Sequence, residues 1–141
     1  MKLTAARSMV DAALAHARNK DMSPLAIVVL DARGALKFAV AEDGTSLKRA
    51  EIAIGKAHGA LAMGLGSRTL YTRSQKQPSF IAAVTHAVGG LMVPVPGGVL
   101  IRSADGELLG AIGISGDSSD NDEEAAMAGI AEVGLVGDPG T

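Results

Sequence analysis

Residues 97–130 read GGVLIRSADGELLGAIGISGDSSDNDEEAAMAGI. Val99 to Ile101 and Leu108 to Ile114 are apolar and rich in β-branched side chains, and Ala104-Asp105-Gly106 between them has the composition of a tight turn. Asp and Gly accept the backbone angles that such turns demand. The stretch therefore predicts a hairpin over Val99–Ser103 and Glu107–Ser115. Gly110, Gly113 and Gly116 punctuate its second strand as GxxGxxG. That spacing is not the GxGxxG of a dinucleotide site, and no strand leads through a tight turn into a helix there. Glycines so placed allow a bend, a bulge or the close approach of another backbone. Ser118, Ser119 or Asp120 then caps a closing helix, with Asp122, Glu123 and Glu124 set against the positive end of its dipole. The same acidic run lacks the DxDxDG order of an EF-hand loop.

The rest of the chain supplies a second hairpin and its covering helices. Thr4 is placed to cap a first helix over residues 5–19, with Met9, Ala12, Ala13, His16 and Ala17 near one face. Leu25 to Leu30 reads as a buried central strand, Asp31 to Gly34 as a turn, and Ala35 to Val40 as the returning strand. Asp43-Gly44-Thr45-Ser46 ends it and caps a helix from Leu47 to Met63, stopped by Gly64 and Gly66. Two short helices follow, one after Ser67 and one from Ser79 to Val88. A further strand is expected over Leu91–Val95, and the tail 134–141 is expected to fray. This order predicts one α+β domain over residues 1–141, an antiparallel sheet of about five strands flanked by helices.

Composition narrows the function. Hydrophobic residues make up 48% of the chain and aromatic ones only 2%, so Ala, Val, Ile, Leu and Met build the core. A mean hydropathy of +0.27 is high for a small monomer and predicts self-association to a homo-oligomer. The net charge of −2 is interspersed, without a basic stripe or interleaved aromatics, which argues against nucleic acid as a partner. The absence of Cys removes disulfides, thiolate metal sites and thiolate-ligated haem. Arg7, Asp11, His16 and Arg18 interrupt any apolar leader, and no window spans a bilayer, so a cytoplasmic location and no membrane partner are expected.

Three histidines, His16, His58 and His86, are the candidate ligand-binding side chains. There is no HExxH or HxH, so no metal site is predicted, while neutral imidazole is a common axial donor to haem. His58 stands beside Gly59 and Ala60, where a flat ligand can approach. His86 follows Ala82-Ala83-Val84-Thr85 and leads to Gly89-Gly90. Met63, Met92 and Tyr71 are wall residues or second ligands, with a core or surface position as the plainer reading. Lys56 shares a helix face with Ala53 and Arg49. Such cations hold a propionate or a substrate carboxylate. A desolvated lysine instead serves as a base or forms a Schiff base. The structural alternative for Lys56 is a salt bridge to Asp31 or Glu51.

Four blocks occur in order: the strand ending in Asp31 with Gly34 in its turn; Asp43-Gly44 before a helix carrying Lys56-Ala57; Pro96-Gly97-Gly98-Val99; and Gly110-Ala111-Ile112-Gly113-Ile114-Ser115-Gly116 followed by Asp122-Glu123. Together they resemble the GlcG/HbpS-like family, the haem-degrading-domain family also found as the C-terminal half of PduO-type proteins. The resemblance implies a profilin-like sandwich around an antiparallel sheet, in symmetric oligomers. It also implies haem, a related tetrapyrrole or another small organic ligand. The expected pocket is built by the second helix, the 67–98 segment and the Pro96-Gly97-Gly98 loop. His58 or His86, with His16 as a further candidate, is its axial donor, and Lys56 or Arg49 holds the propionates. The alternative is a catabolic enzyme acting on a carboxylate- or carbonyl-bearing substrate, with Lys56 as anchor and His58 as acid and base. An accessory protein without pocket chemistry is the third reading.

Overall fold

Leu25 to Leu30 is buried along its whole length, and the reason is its central place in the sheet. In a computed structural model describing residues 1–141, β1 (Ala26–Asp31) lies between β2 (Leu36–Ala41) and β4 (Leu108–Ser115). β3 (Gly98–Arg102) and β5 (Val136–Asp138) continue the sheet beyond β4, giving the order β2-β1-β4-β3-β5 with every pair antiparallel. The two expected hairpins thus meet through β1 and β4, in register from Ala26 opposite Ser115 to Asp31 opposite Gly110.

Strand side chains alternate between faces, and the two faces build separate cores. Ile27, Val29, Val99, Ile101, Ile112 and Ile114 pack against α1 (Leu3–Asn19) and α5 (Ser119–Glu132). Val28, Leu30, Leu100 and Ala111 pack on the other face against α2 (Arg49–Met63). A small satellite cluster of Leu70, Ile81 and Met92 joins α3 (Ser67–Lys76) and α4 (Pro78–Ala87) to that side. This is the α+β arrangement expected, in three layers. No helix is long and apolar enough to cross a membrane.

The glycines act by close approach. α2 presents Ala53, Ala57 and Ala60 to the sheet, and a Cβ on Gly113 would collide with the carbonyl oxygen of Ala53. One on Gly98 would likewise meet the carbonyl of Lys56. A helix of small residues over strand glycines brings the two backbones nearly into contact.

Several expectations are corrected. Leu91–Val95 forms no strand. Pro94 and Pro96 remove ladder donors, and Val93 N donates instead to the carbonyl of Gly55 at 3.1 Å. The tail does not fray throughout: Val136–Asp138 pairs with the free edge of β3, and Arg102 holds Asp138 at 3.3 Å. Thr4 is not a cap, since α1 begins at Leu3 after Lys2. Thr45 and Ser46 do not cap α2 either. It begins at Arg49, and the Thr45 hydroxyl donates to the carbonyl of Glu42 at 3.1 Å. Ser118 does cap α5, accepting from Asn121 N at 3.2 Å.

Gly113→Val is expected to lower stability by about 1–3 kcal/mol through overpacking, read as a lower urea midpoint at unchanged slope. An unchanged midpoint would mean that α2 does not rest on β4 as described.

Candidate functional site

Lys56 is the largest fully buried side chain. Its Nζ donates to Asp122 Oδ2 at 3.0 Å and to the carbonyl of Ile114 at 2.8 Å, and both charged side chains are 2% exposed. The other Asp122 oxygen accepts from Asp117 N at 3.0 Å. Asp117 in turn accepts from Ser23 N at 2.7 Å, Asn121 Nδ2 at 2.7 Å and Ser118 N at 2.9 Å. Burial pushes the Lys56 amine down and the Asp122 carboxyl up, each toward its neutral form, while their mutual attraction opposes both shifts. Asp117 behaves oppositely: the Ser23 amide first, then Asn121 and Ser118, hold its carboxyl at about 2, from 3.8.

The expected partners of Lys56 are therefore corrected. Asp31 accepts from Arg33 N at 2.9 Å and Ala35 N at 3.0 Å inside its own turn. Glu51 pairs with Lys48 at 3.5 Å, one helical turn away. Gly97 and Gly98 are buried and enclose the ion pair. Gly97, at a φ of +117°, passes beside Lys56 Nζ and Asp122, and Gly98 N donates to Ser67 Oγ at 2.7 Å.

The histidines stand apart from this pair. His58 Nδ1 donates to the carbonyl of Leu91 at 2.8 Å, and its Cδ2 edge faces Gly34. His86 is exposed on α4. Met92 is buried in the satellite cluster with Met63 against it, and Tyr71 is exposed. His16 lies on α1, across the sheet from α2, which carries Lys56, His58 and Arg49. The structure thus brings no histidine together with either expected anchor cation in one cavity.

Three concavities mark the surface. A cavity of about 580 Å³ lies between α1 and α5, with His16 in its wall, Ala12, Ala15 and Ala128 beside it, and Asp11 and Glu132 also lining it. His16 Nε2 stands 2.8 Å from Glu124 Oε1, and Lys20 Nζ is 3.2 Å from the same oxygen. Those partners, His16 first, hold the Glu124 carboxyl below its usual range. An ionised carboxylate only accepts, so Nε2 is the donor, and Nδ1 has no hydrogen-bond partner in the protein. A second cavity, of about 270 Å³, overlaps the expected pocket at Tyr71, Val95 and Pro96 but contains no histidine. Its Arg68 is neutralised by Asp120 at 2.5 Å and Glu123 at 3.1 Å. The third, of about 290 Å³, surrounds Arg49, whose Nη1 donates to Ser115 Oγ at 3.3 Å.

Sequence reasoning did not find Glu124 or Asp122 as partners. Both lie in an acidic run whose capping role was a sufficient explanation. The wall of the α1–α5 cavity was nonetheless written in the chain: Ser8, Asp11, Ala12, Ala15, His16 and Asn19 recur at the three- and four-residue spacing of one helical stripe.

A single antiparallel sheet with a two-helix layer on one face, an alanine-rich helix on the other and a histidine-bearing surface concavity defines a small three-layer α+β domain. The chain belongs to the family described as haem degrading protein HbpS-like, which matches residues 1–131. Among solved structures it is similar to a PduOC:heme complex, with a TM-score of 0.85 and 26% identity over 96% of each chain. It is similar also to HbpS, with a TM-score of 0.79 and 26% identity over 94% of this chain and 89% of that one. The ORFY protein of Klebsiella pneumoniae shares the fold, at a TM-score of 0.85 and 19% identity over 95% of this chain and 90% of its own. No curated protein matches the chain significantly.

Two outcomes test the buried pair. Lys56→Met is expected to destabilise by about 3–5 kcal/mol, because it strands a buried carboxylate. Lys56→Met with Asp122→Leu should recover much of that loss in a urea titration. For Asp117, a folded pKa below the unfolded one means that its stabilisation is fully present above pH 3.8 and fades as pH falls toward about 2. The difference in melting temperature between wild type and Asp117→Asn should close over that window.

Proposed function

We propose that this chain binds haem or a related tetrapyrrole in the concavity between α1 and α5, with His16 as the axial donor. The observation that carries the reading is the His16 ring held by Glu124 in the largest concavity of the molecule. Glu124 accepts a hydrogen bond from Nε2, which leaves Nδ1 as the nitrogen facing a ligand. A carboxylate behind a ligating imidazole is the usual arrangement, since it orients the ring and raises its basicity. Ala12, Ala15 and Ala128 leave room for a flat macrocycle to lie close to both helices. The haem complex of a relative 26% identical to this chain and the haem-degrading description of the family support the same ligand.

His58 also has one ring nitrogen without a hydrogen-bond partner, Nε2, because Nδ1 donates to Leu91, but it lines none of the three cavities. His86 lines none either. Acid–base catalysis by Lys56 and His58 has less support, because the Lys56 amine is enclosed and already engaged with Asp122 and Ile114. The reading includes self-association. Phe80 on α4, Leu91 after it, Leu36 on the edge strand β2 and Leu47 are exposed apolar side chains, and an oligomer covers such groups. The proposed location is the cytoplasm.

Haemin titration followed by absorbance tests the proposal. The wild type should give a saturating Soret shift that disappears in His16→Ala and survives in His58→Ala and His86→Ala. Glu124→Gln should weaken binding by about tenfold or more, with all variants checked for folding by circular dichroism. A Soret shift unaffected by His16→Ala would overturn the assignment.

A further inference from the structure

We infer that the cavity around Arg49, on the α2 side of the sheet, is a binding site for a small hydrophilic monocarboxylate. It is independent of the α1–α5 concavity and does not rest on the haem reading.

The first observation is an uncompensated guanidinium. Arg18 pairs with Glu42, Arg33 with Asp31, Arg68 with Asp120 and Glu123, and Arg102 with Asp138, each within 4 Å. Arg7, which lies over the Phe38 ring, and Arg73 also lack a carboxylate partner but are exposed, whereas Arg49 is half-buried, has no carboxylate within that distance, and reaches only the neutral hydroxyl of Ser115 at 3.3 Å. The neighbouring acids are committed elsewhere. Glu42 accepts from Leu25 N at 2.8 Å and pairs with Arg18 at 3.0 Å. Asp117 is saturated by Ser23, Ser118 and Asn121.

The second observation is the space beside that guanidinium. The cavity holds about 290 Å³ and is lined, besides Arg49, by Ser23, Pro24, Thr45, Ser46 and two glycines, the Pro24 ring being its one apolar side chain. Gly44, at a φ of +89°, has only the ring of Pro24 near its absent Cβ, so this wall is open because it carries no side chain. A volume at the lower end of the usual ligand range, roughly 300–1,000 Å³, admits an acid of a few carbons and is too small for a macrocycle.

Chemistry then selects the ligand. A guanidinium offers two parallel N–H donors that match one carboxylate. The Ser46 hydroxyl, and the lone pairs of the Thr45 hydroxyl that donates to Glu42, suit a polar remainder and not an alkyl tail. A single guanidinium with no second cation in the cavity wall matches the charge of a monoanion.

The test is an amide-shift NMR titration of the whole chain with lactate, butyrate and inorganic phosphate at neutral pH. Lactate should give saturating shifts at Thr45, Ser46, Ser115 and Gly116. Butyrate and phosphate should bind at least several-fold more weakly. Arg49→Gln should weaken lactate binding by about tenfold or more, with the remaining amide signals unmoved. If Arg49→Gln does not fold, Arg49→Lys carries the test, since it keeps the charge and loses the fork and should still weaken binding. No saturable shift with lactate, phosphate or butyrate binding as tightly as lactate, or an undiminished affinity in the Arg49 variant would each overturn the proposal.

Discussion

The ion pair between Lys56 and Asp122 is the constraint on which the arrangement of layers depends. Removing two charges from water costs several kcal/mol per ion, and the pair persists because neither group lacks a partner. Lys56 has Asp122 and the Ile114 carbonyl, while Asp122 has Lys56 and the Asp117 amide. No buried side-chain polar atom in the protein is left unpaired. The pair sits where β4 ends and joins α2, on one face of the sheet, to the first turn of α5, which packs on the other. A hydrophobic contact would hold these elements without choosing their register. A directional pair with a fixed carbonyl does choose it.

Two consequences reach the surface. With its first turn fixed, α5 runs back over the sheet beside α1, and Gly129 packs against the backbone of Met9 in that contact. The groove between the helices holds His16 and brings Glu124 to its ring. On the opposite side, the same end of β4 presents Ser115 to Arg49, while Gly116 passes tightly against Pro24 and Leu25. The histidine concavity and the arginine cavity therefore lie on opposite faces of one sheet and share β4 and its connection to α5 as a common support.

Local patterns in the chain reveal both hairpins, the buried course of Leu25 to Leu30, the long second helix and the Ser118 cap. These depend on side-chain alternation and on turn residues, which act over a few positions. The errors fall where a distant partner decides. Leu91–Val95 is apolar enough for a strand, but its prolines and the carbonyl of Gly55 hold it as an irregular strap over α2. Val136–Asp138 is too short to announce itself and becomes a strand only because β3 offers an unpaired edge. Thr45 has the chemistry of a cap, yet its hydroxyl is drawn to the carbonyl of Glu42.

The candidate site divides in the same way. The sequence by itself determined which groups were available: three histidines, Lys56 and Arg49 on one helix, glycines that permit close packing, and an acidic start to the last helix. Only the tertiary structure decided their pairing. His16 and Glu124 are 108 positions apart, and Lys56 and Asp122 are 66 apart. Whether a charge is enclosed, answered by a neighbour or left open to a ligand depends on distance and solvent access. Both are properties of the packed layers, and no short stretch of chain contains them.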